Sequence, residues 1–170
     1  MAEAFNSKVL PEAKAARYAE VAQETAAVLD GEPNLTARLA TVAAMLAQSF
    51  DHFFWTGFYL VDPADPAELV VGPYQGTLGC LRIRIGQGVC GAAAETRRTI
   101  VVTDVEAFPG HIACDSRSRS EIVVPVVGPA GRLVGVLDID STELDAFDAT
   151  DADWLERILA RAFGDNASLT

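Results

Sequence analysis

No stretch of this sequence approaches the roughly 20 consecutive apolar residues that a membrane-spanning helix requires. The N-terminus lacks the basic stretch and apolar core of a secretory signal. Positive charge is scarce: 13 lysines and arginines stand against 24 acids, a net charge of −11. Nucleic acid and anionic membrane both demand a positive face, so neither is expected as a partner. Internal repeats, low-complexity tracts and linkers long enough to separate domains are missing too. Cysteine is rare, with three in 170 residues, and no two are spaced as Cys-X-X-Cys, so the chain is not itself a thioredoxin-like reductant. The expected compartment is the cytoplasm, where structural disulfides are uncommon. An odd number of cysteines there points to thiol chemistry, metal binding or plain burial, and not to a disulfide framework.

What is present fits one globular domain over residues 1–170, with short flexible tails expected at about 1–10 and 165–170. Half the residues are hydrophobic and 22% are charged. A chain this long buries roughly 70% of its unfolded surface and needs neither disulfide nor metal to hold a core. Residues 12–30 and 35–49 read as helices. Tyr18, Val21, Ala22, Val28 and Leu29 form the apolar face of the first, which Gly31 stops. Asn34 is the candidate N-cap of the second. Strands are expected at 53–61, 68–74 (closed off around Pro73 and Gly76), 81–85 and 99–102. In the third, Leu81, Ile83 and Ile85 alternate with Arg82 and Arg84. A short small-residue helix covers 89–96. Residues 121–127 and 132–139 form a hairpin around Gly128-Pro129-Ala130-Gly131, and 151–163 close the chain as a helix. Helices at the chain ends around hairpin-connected strands make an α/β layer arrangement of the α+β kind, with a mainly antiparallel sheet.

The irregular segment 103–120 is where function is expected, since long loops on a rigid scaffold carry it. Cys114 lies there in a polar run without apolar periodicity, whereas Cys90 stands at a helix start and Cys80 follows Gly79 at a strand edge. Burial as small hydrophobes is one reading of all three. A Cys₃His zinc set with His111 is a second, but structural zinc ligands come in pairs two to four residues apart, and these cysteines are ten and twenty-four apart. No metal is expected. A redox pair is the third and the best fit: a thiolate attacking an oxidised substrate becomes a sulfenic acid, which a second thiol must resolve.

Asp138 and Asp140 stand two apart at the end of a strand and so share a face. The hairpin returns that strand end beside Glu121, seven residues after Cys114, so three acids are expected to converge near one cysteine. Acids at strand ends are often merely solvated. Convergence would instead raise the thiol pKa and keep one carboxyl protonated. That suits a reaction in which a leaving oxygen is protonated while sulfur attacks, as sulfoxide reduction requires. The remaining carboxylates would hold an amino-acid ammonium. Trp55 and Tyr59, on one face of the first strand, are either core or the wall around a small methyl group.

Several runs, among them Trp55-Thr56-Gly57-Phe58-Tyr59, Gly72-Pro73-Tyr74-Gln75-Gly76, Gly86-Gln87-Gly88-Val89-Cys90-Gly91 and His111-Ile112-Ala113-Cys114-Asp115-Ser116, closely resemble the free methionine-(R)-sulfoxide reductase family. The resemblance extends from the first helix through Asp138-Ile139-Asp140-Ser141. It implies a GAF fold closed over free methionine sulfoxide, Cys114 as nucleophile, Cys80 as its main disulfide partner and Cys90 as an additional or alternative resolving thiol. It further implies Glu121, Asp138 and Asp140 as substrate-binding acids, Trp55 and Tyr59 as the aromatic wall, recycling by thioredoxin and no bound cofactor. Glu121 is the candidate proton donor. Arg84 and Arg117 depart from the proline and small residue expected there. A homodimer is compatible with the sequence. The rival reading is a GAF sensor module without catalysis, though the Asn-Lys-Phe motif of cyclic-nucleotide binders is missing and no output domain accompanies the expected one.

Overall fold

In the computed structural model, which describes residues 11–164, the chain enters through two helices, α1 (Pro11–Val28) and α2 (Leu35–Ser49). The tails expected at about 1–10 and 165–170 lie outside the described residues. Gly31 takes a left-handed φ of +72° in the turn after α1, a conformation that costs glycine little. Asn34 caps α2 as expected, its side-chain oxygen accepting from the Ala37 N–H at 2.9 Å. Val28 departs from the expected apolar face. It is the last residue of α1 and 61% exposed, while Leu29 in the following turn is buried.

Six strands follow: β1 (Trp55–Val61), β2 (Glu68–Gln75), β3 (Arg82–Arg84), β4 (Ile100–Val102), β5 (Ser120–Val127) and β6 (Leu133–Ser141). Helix α3 (Gly88–Thr96) lies between β3 and β4, and α4 (Ala149–Phe163) ends the described chain. The strands form one sheet in the order β3-β2-β1-β6-β5-β4, each neighbouring pair antiparallel. Two strand readings need correction. Pro73 does not end β2, which runs on to Gln75, because it sits in a bulge where β2 carries one residue more than β1; a strand tolerates proline there. Leu81 is not on a buried face: β3 begins only at Arg82, and Leu81 is 76% exposed.

Alternation along the strands divides the core in two. Phe58, Ile122, Val124, Leu137 and Ile139 face α1, α2 and α4. Tyr59, Val123 and Val136 face the other way, packing with Val89, Ala93 and Ala94 of α3 and with Val105 of the irregular segment. Side chains two residues apart share a face. Glu121 is therefore in phase with Val123, Asp138 and Asp140 with Val136, and Trp55 with Tyr59. The period-two rule delivers all five to the α3 side of the sheet.

The helical side is tied by buried charge. Lys14 of α1 donates to Asp148 at 2.9 Å and Asp151 at 2.6 Å, and the Tyr18 hydroxyl donates to the other Asp151 oxygen at 2.7 Å. Asp148 is also the N-cap of α4, in a capping box with Asp151. Arg38 of α2 donates to the Leu29 and Glu32 carbonyls beyond α1 and to the Ala162 carbonyl near the end of α4.

Candidate active site

Strand register fixes the floor of a cavity on the α3 face. Glu121 of β5 pairs directly with Asp140 of β6, and Val123 with Asp138. On the other side of β6, Trp55 pairs with Asp140 and Gly57 with Asp138. Helix α3 covers this floor with its first turn, Gly88 to Cys90, and residues 111–118 form the outer rim. All five sequence-chosen acids and aromatics line the cavity, together with Cys90 and Cys114. Among the described residues no lysine or arginine lines it.

Three carboxyls packed without a lysine or arginine among them do not all ionise readily at ordinary pH. Burial raises Glu121 well above the usual carboxylate range; the Asp140 charge adds to this, and a hydrogen bond with Asp138 opposes it. Burial does the same to Asp138, with Asp140 and Glu121 as the next causes. Asp140 is pushed up to about 6 by burial, despite a hydrogen bond with Ser118 and the nearby His111. The His111 Nε2 atom stands 3.3 Å from Glu121 Oε2 and orients that carboxyl. Neither His111 as a partner of Glu121 nor Ser118 as a partner of Asp140 was legible in the sequence, because the irregular segment folds back onto the sheet without periodicity.

The cysteines divide into a pair and a single thiol. Cys80 and Cys114 are joined in a disulfide, with Cα atoms 5.4 Å apart. Cys114 is exposed and Cys80 half-buried, so the bond lies at the surface beside the cavity. Cys90 is the free cysteine and is buried. Acids crowd a cysteine at Cys90. The first turn of α3 sits directly on β5 and β6, and Cys90 Sγ lies 4.0 Å from Glu121 Oε1. Burial raises the Cys90 thiol far above its ordinary value, and the charges of Asp138, Glu121 and Asp140 push the same way. The Cys₃His set is not assembled, since two of its sulfurs are bonded to each other.

One wall is aromatic. Trp55 stacks on Tyr59 with centroids 5.6 Å apart and on Tyr74 at 5.2 Å, and its indole N–H donates to the Thr77 carbonyl at 2.9 Å. Tyr74 joins this stack from β2, just past the bulge, which period-two reading cannot anticipate. The Tyr59 hydroxyl interacts with the backbone of Cys80, linking the wall to the disulfide. Asp115, next to Cys114, accepts from Thr77 Oγ1 at 2.8 Å and pairs with Arg117, whose guanidinium lies 4.8 Å from the Phe54 ring centroid. The unexpected Arg117 thus ties the Cys114 segment to Phe54, the residue before Trp55, while Asp115 ties it to Thr77. Arg84 is exposed on the edge strand β3 and takes no part in lining the cavity.

Comparison with known proteins matches residues 33–162 to the GAF domain model. GAF domain-containing protein A of Dictyostelium discoideum is 49% identical over 86% of this chain and 90% of its own length. The free methionine-R-sulfoxide reductase of Escherichia coli (strain K12) is 40% identical over 85% of each chain. A crystal structure of free methionine-R-sulfoxide reductase from Neisseria meningitidis, in complex with its substrate, superposes with a TM-score of 0.85 at 48% identity, covering 91% of this chain and 90% of that one.

Proposed function

Because the chain belongs to the GAF domain family, among its free methionine-R-sulfoxide reductases, we propose that it is a thiol-dependent oxidoreductase converting free L-methionine-(R)-sulfoxide to L-methionine. The observation that carries this reading is the Cys80–Cys114 disulfide beside a cavity floored by three buried carboxyls. In the first half-reaction Cys114 attacks the sulfoxide sulfur. The substrate sulfur gains two electrons and its oxygen passes to Cys114, which becomes a sulfenic acid. Cys80 then attacks that sulfur, expelling water and closing the disulfide. Cys90 is the additional thiol of the scheme, kept protonated and slow by burial and its acidic neighbours.

The remaining groups divide the substrate among them. A sulfoxide oxygen leaves only when protonated, and Glu121, the raised carboxyl that meets both Cys90 and His111, is the proposed donor. Asp138 and Asp140 meet the ammonium group. The substrate carboxylate has a counterpart in the first backbone N–H groups of α3, which lack intrahelical partners and border the cavity. Trp55 and Tyr59 enclose the methyl. No resident cofactor enters the scheme. The disulfide is flanked in sequence by exposed Leu78, Leu81 and Ile112, a surface open to a protein dithiol, and thioredoxin is the proposed reductant. Among the described residues no helix is long and apolar enough to cross a membrane, and the proposed setting is the cytoplasm under oxidative stress.

The test is to supply free methionine sulfoxide with thioredoxin, thioredoxin reductase and NADPH and to follow NADPH. An enzyme consumes it; a sensor module binds without consuming it. Cys114→Ser should give no turnover. Cys80→Ser should release one methionine per chain and then stall until a small thiol is added. Thioredoxin-driven turnover at the normal rate in Cys114→Ser would overturn the assignment.

A further inference from the structure

Cys90 Sγ, one carboxylate oxygen of Glu121 and one of Asp138 all lie within 4.8 Å of one another, and all three residues are buried. They come from three elements, α3, β5 and β6, so the fold and not a local turn brings them together. A second observation points to a missing ligand. Asp138 is 6% exposed and borders the cavity, yet its Oδ1 atom has no hydrogen-bond partner. A buried carboxylate oxygen without a partner is costly, and a cation in the cavity would relieve it.

We propose that Cys90, Glu121 and Asp138 form a site for a thiophilic divalent cation of the zinc class, which occupies the cavity floor and excludes the substrate. The donor set decides the class of ion. A thiolate selects zinc or cadmium over magnesium or calcium, which take oxygen ligands alone. The distances fit with small adjustment. Zinc–sulfur and zinc–oxygen bonds of about 2.3 and 2.1 Å place the two donors roughly 3.5 Å apart in a tetrahedron. Cys90 Sγ and Glu121 Oε1 are 4.0 Å apart, so side-chain rotations of about half an ångström close that edge. Three protein ligands leave the fourth position to water from the cavity, the open form of a zinc site. Binding replaces the thiol proton and the protons on the carboxyls by the metal, and those protons go to solvent. This set is distinct from the Cys₃His set, sharing Cys90 alone with it. Exclusion of substrate rests on the proposed reductase reading, since the same two acids would meet the substrate; cation binding itself does not.

The disulfide form supplies a clean test, because Cys90 is then the thiol left free. Cadmium is titrated into that form while the thiolate-to-metal charge-transfer absorption is followed in the ultraviolet. The band should saturate at one cadmium per chain and be absent in Cys90→Ser. Asp138→Asn should weaken binding ~10-fold or more, the scale on which metal sites respond to lost support. Competition is read in Cys80→Ser/Cys114→Ser, whose one thiol is Cys90: free methionine sulfoxide should displace the metal. Absence of the band in wild type would overturn the proposal without help from any variant. So would a band of equal strength in Asp138→Asn and Glu121→Gln, which would mean a lone thiol, or binding indifferent to methionine sulfoxide. No turnover is needed for this titration, so its failure and failure of the reductase assay are separately visible.

Discussion

At Glu121 burial raises the carboxyl well above its ordinary range and the Asp140 charge directly across the hairpin adds to it, while Asp138 pulls the other way through a hydrogen bond. A group so placed holds its proton to higher pH than an ordinary carboxyl, next to the cavity where the proposed reaction protonates an oxygen. Glu121→Gln keeps the size and a donor but cannot release a proton. Loss of a general acid costs about 10²–10⁴-fold in rate. The variant should fold, form its disulfide with a strong oxidant and recycle with thioredoxin at the normal rate, yet release methionine far more slowly in a single turnover. If only substrate affinity falls while the saturating single-turnover rate holds, Glu121 is a binding residue and the proton comes from elsewhere. Glu121, Asp138 and Asp140 were legible because hairpin return and period-two alternation are local rules. The burial that alters their chemistry was legible only in direction. Which cysteine they surround was not, since that depends on how α3 docks, and nothing in the Val89-Cys90-Gly91 run fixes the docking.

Among the elements, β1 and β2 carry the wall, and their closeness depends on one position. A Cβ added at Gly57 would stand 2.2 Å from the Tyr74 Cβ and 2.7 Å from a ring carbon of Trp55. Neither contact can be relieved by a flexible chain end, so the strands must part or the aromatic stack must shift. Overpacking of this kind costs about 1–3 kcal/mol. Gly57→Ala should therefore lower the melting temperature and also raise KM for methionine sulfoxide, because Trp55 moves. Gly31→Ala is the control. Its φ of +72° makes alanine costly by about 1 kcal/mol, but nothing lies within 4 Å of the added carbon. It should lower stability and leave KM unchanged; equal KM effects in the two variants would remove the wall from the argument. The helices at the chain ends and most strand positions were readable from periodicity and caps. The bulge at Pro73 was not, and with it went Tyr74, since one extra residue reverses the phase of everything after it.

Across the whole molecule, a half-exposed carboxylate paired with a buried lysine and a buried carboxyl cluster give stability opposite dependences on pH. On the helical side, Asp148 is held below its ordinary range: burial raises it, but the hydrogen bond and charge of Lys14 prevail. Such a group favours folding above its unfolded pKa, and the contribution is lost as pH falls. On the α3 side the sign is reversed. Burial raises Asp140 from an ordinary 3.8 to about 6, so the folded protein binds this proton more tightly than the unfolded chain does. Its contribution is complete below 3.8 and is lost as pH rises through 6. Glu121 and Asp138, also raised, extend the same trend upward. The whole-protein curve mixes both centres, so the informative quantity is a difference. Asp140→Asn is neutral at every pH and cannot lose this contribution. The melting temperature of wild type minus that of Asp140→Asn should therefore fall by a few degrees between pH 4 and pH 7, as a change on the order of 1 kcal/mol produces in a domain of this size. Saturating methionine should flatten the fall, because its ammonium supplies the charge that the ionised carboxyls lack. A difference that stays level across this range, with or without methionine, would mean that the buried acids of the cavity titrate as ordinary carboxylates. The proton assigned to Glu121 would then have no source in the fold.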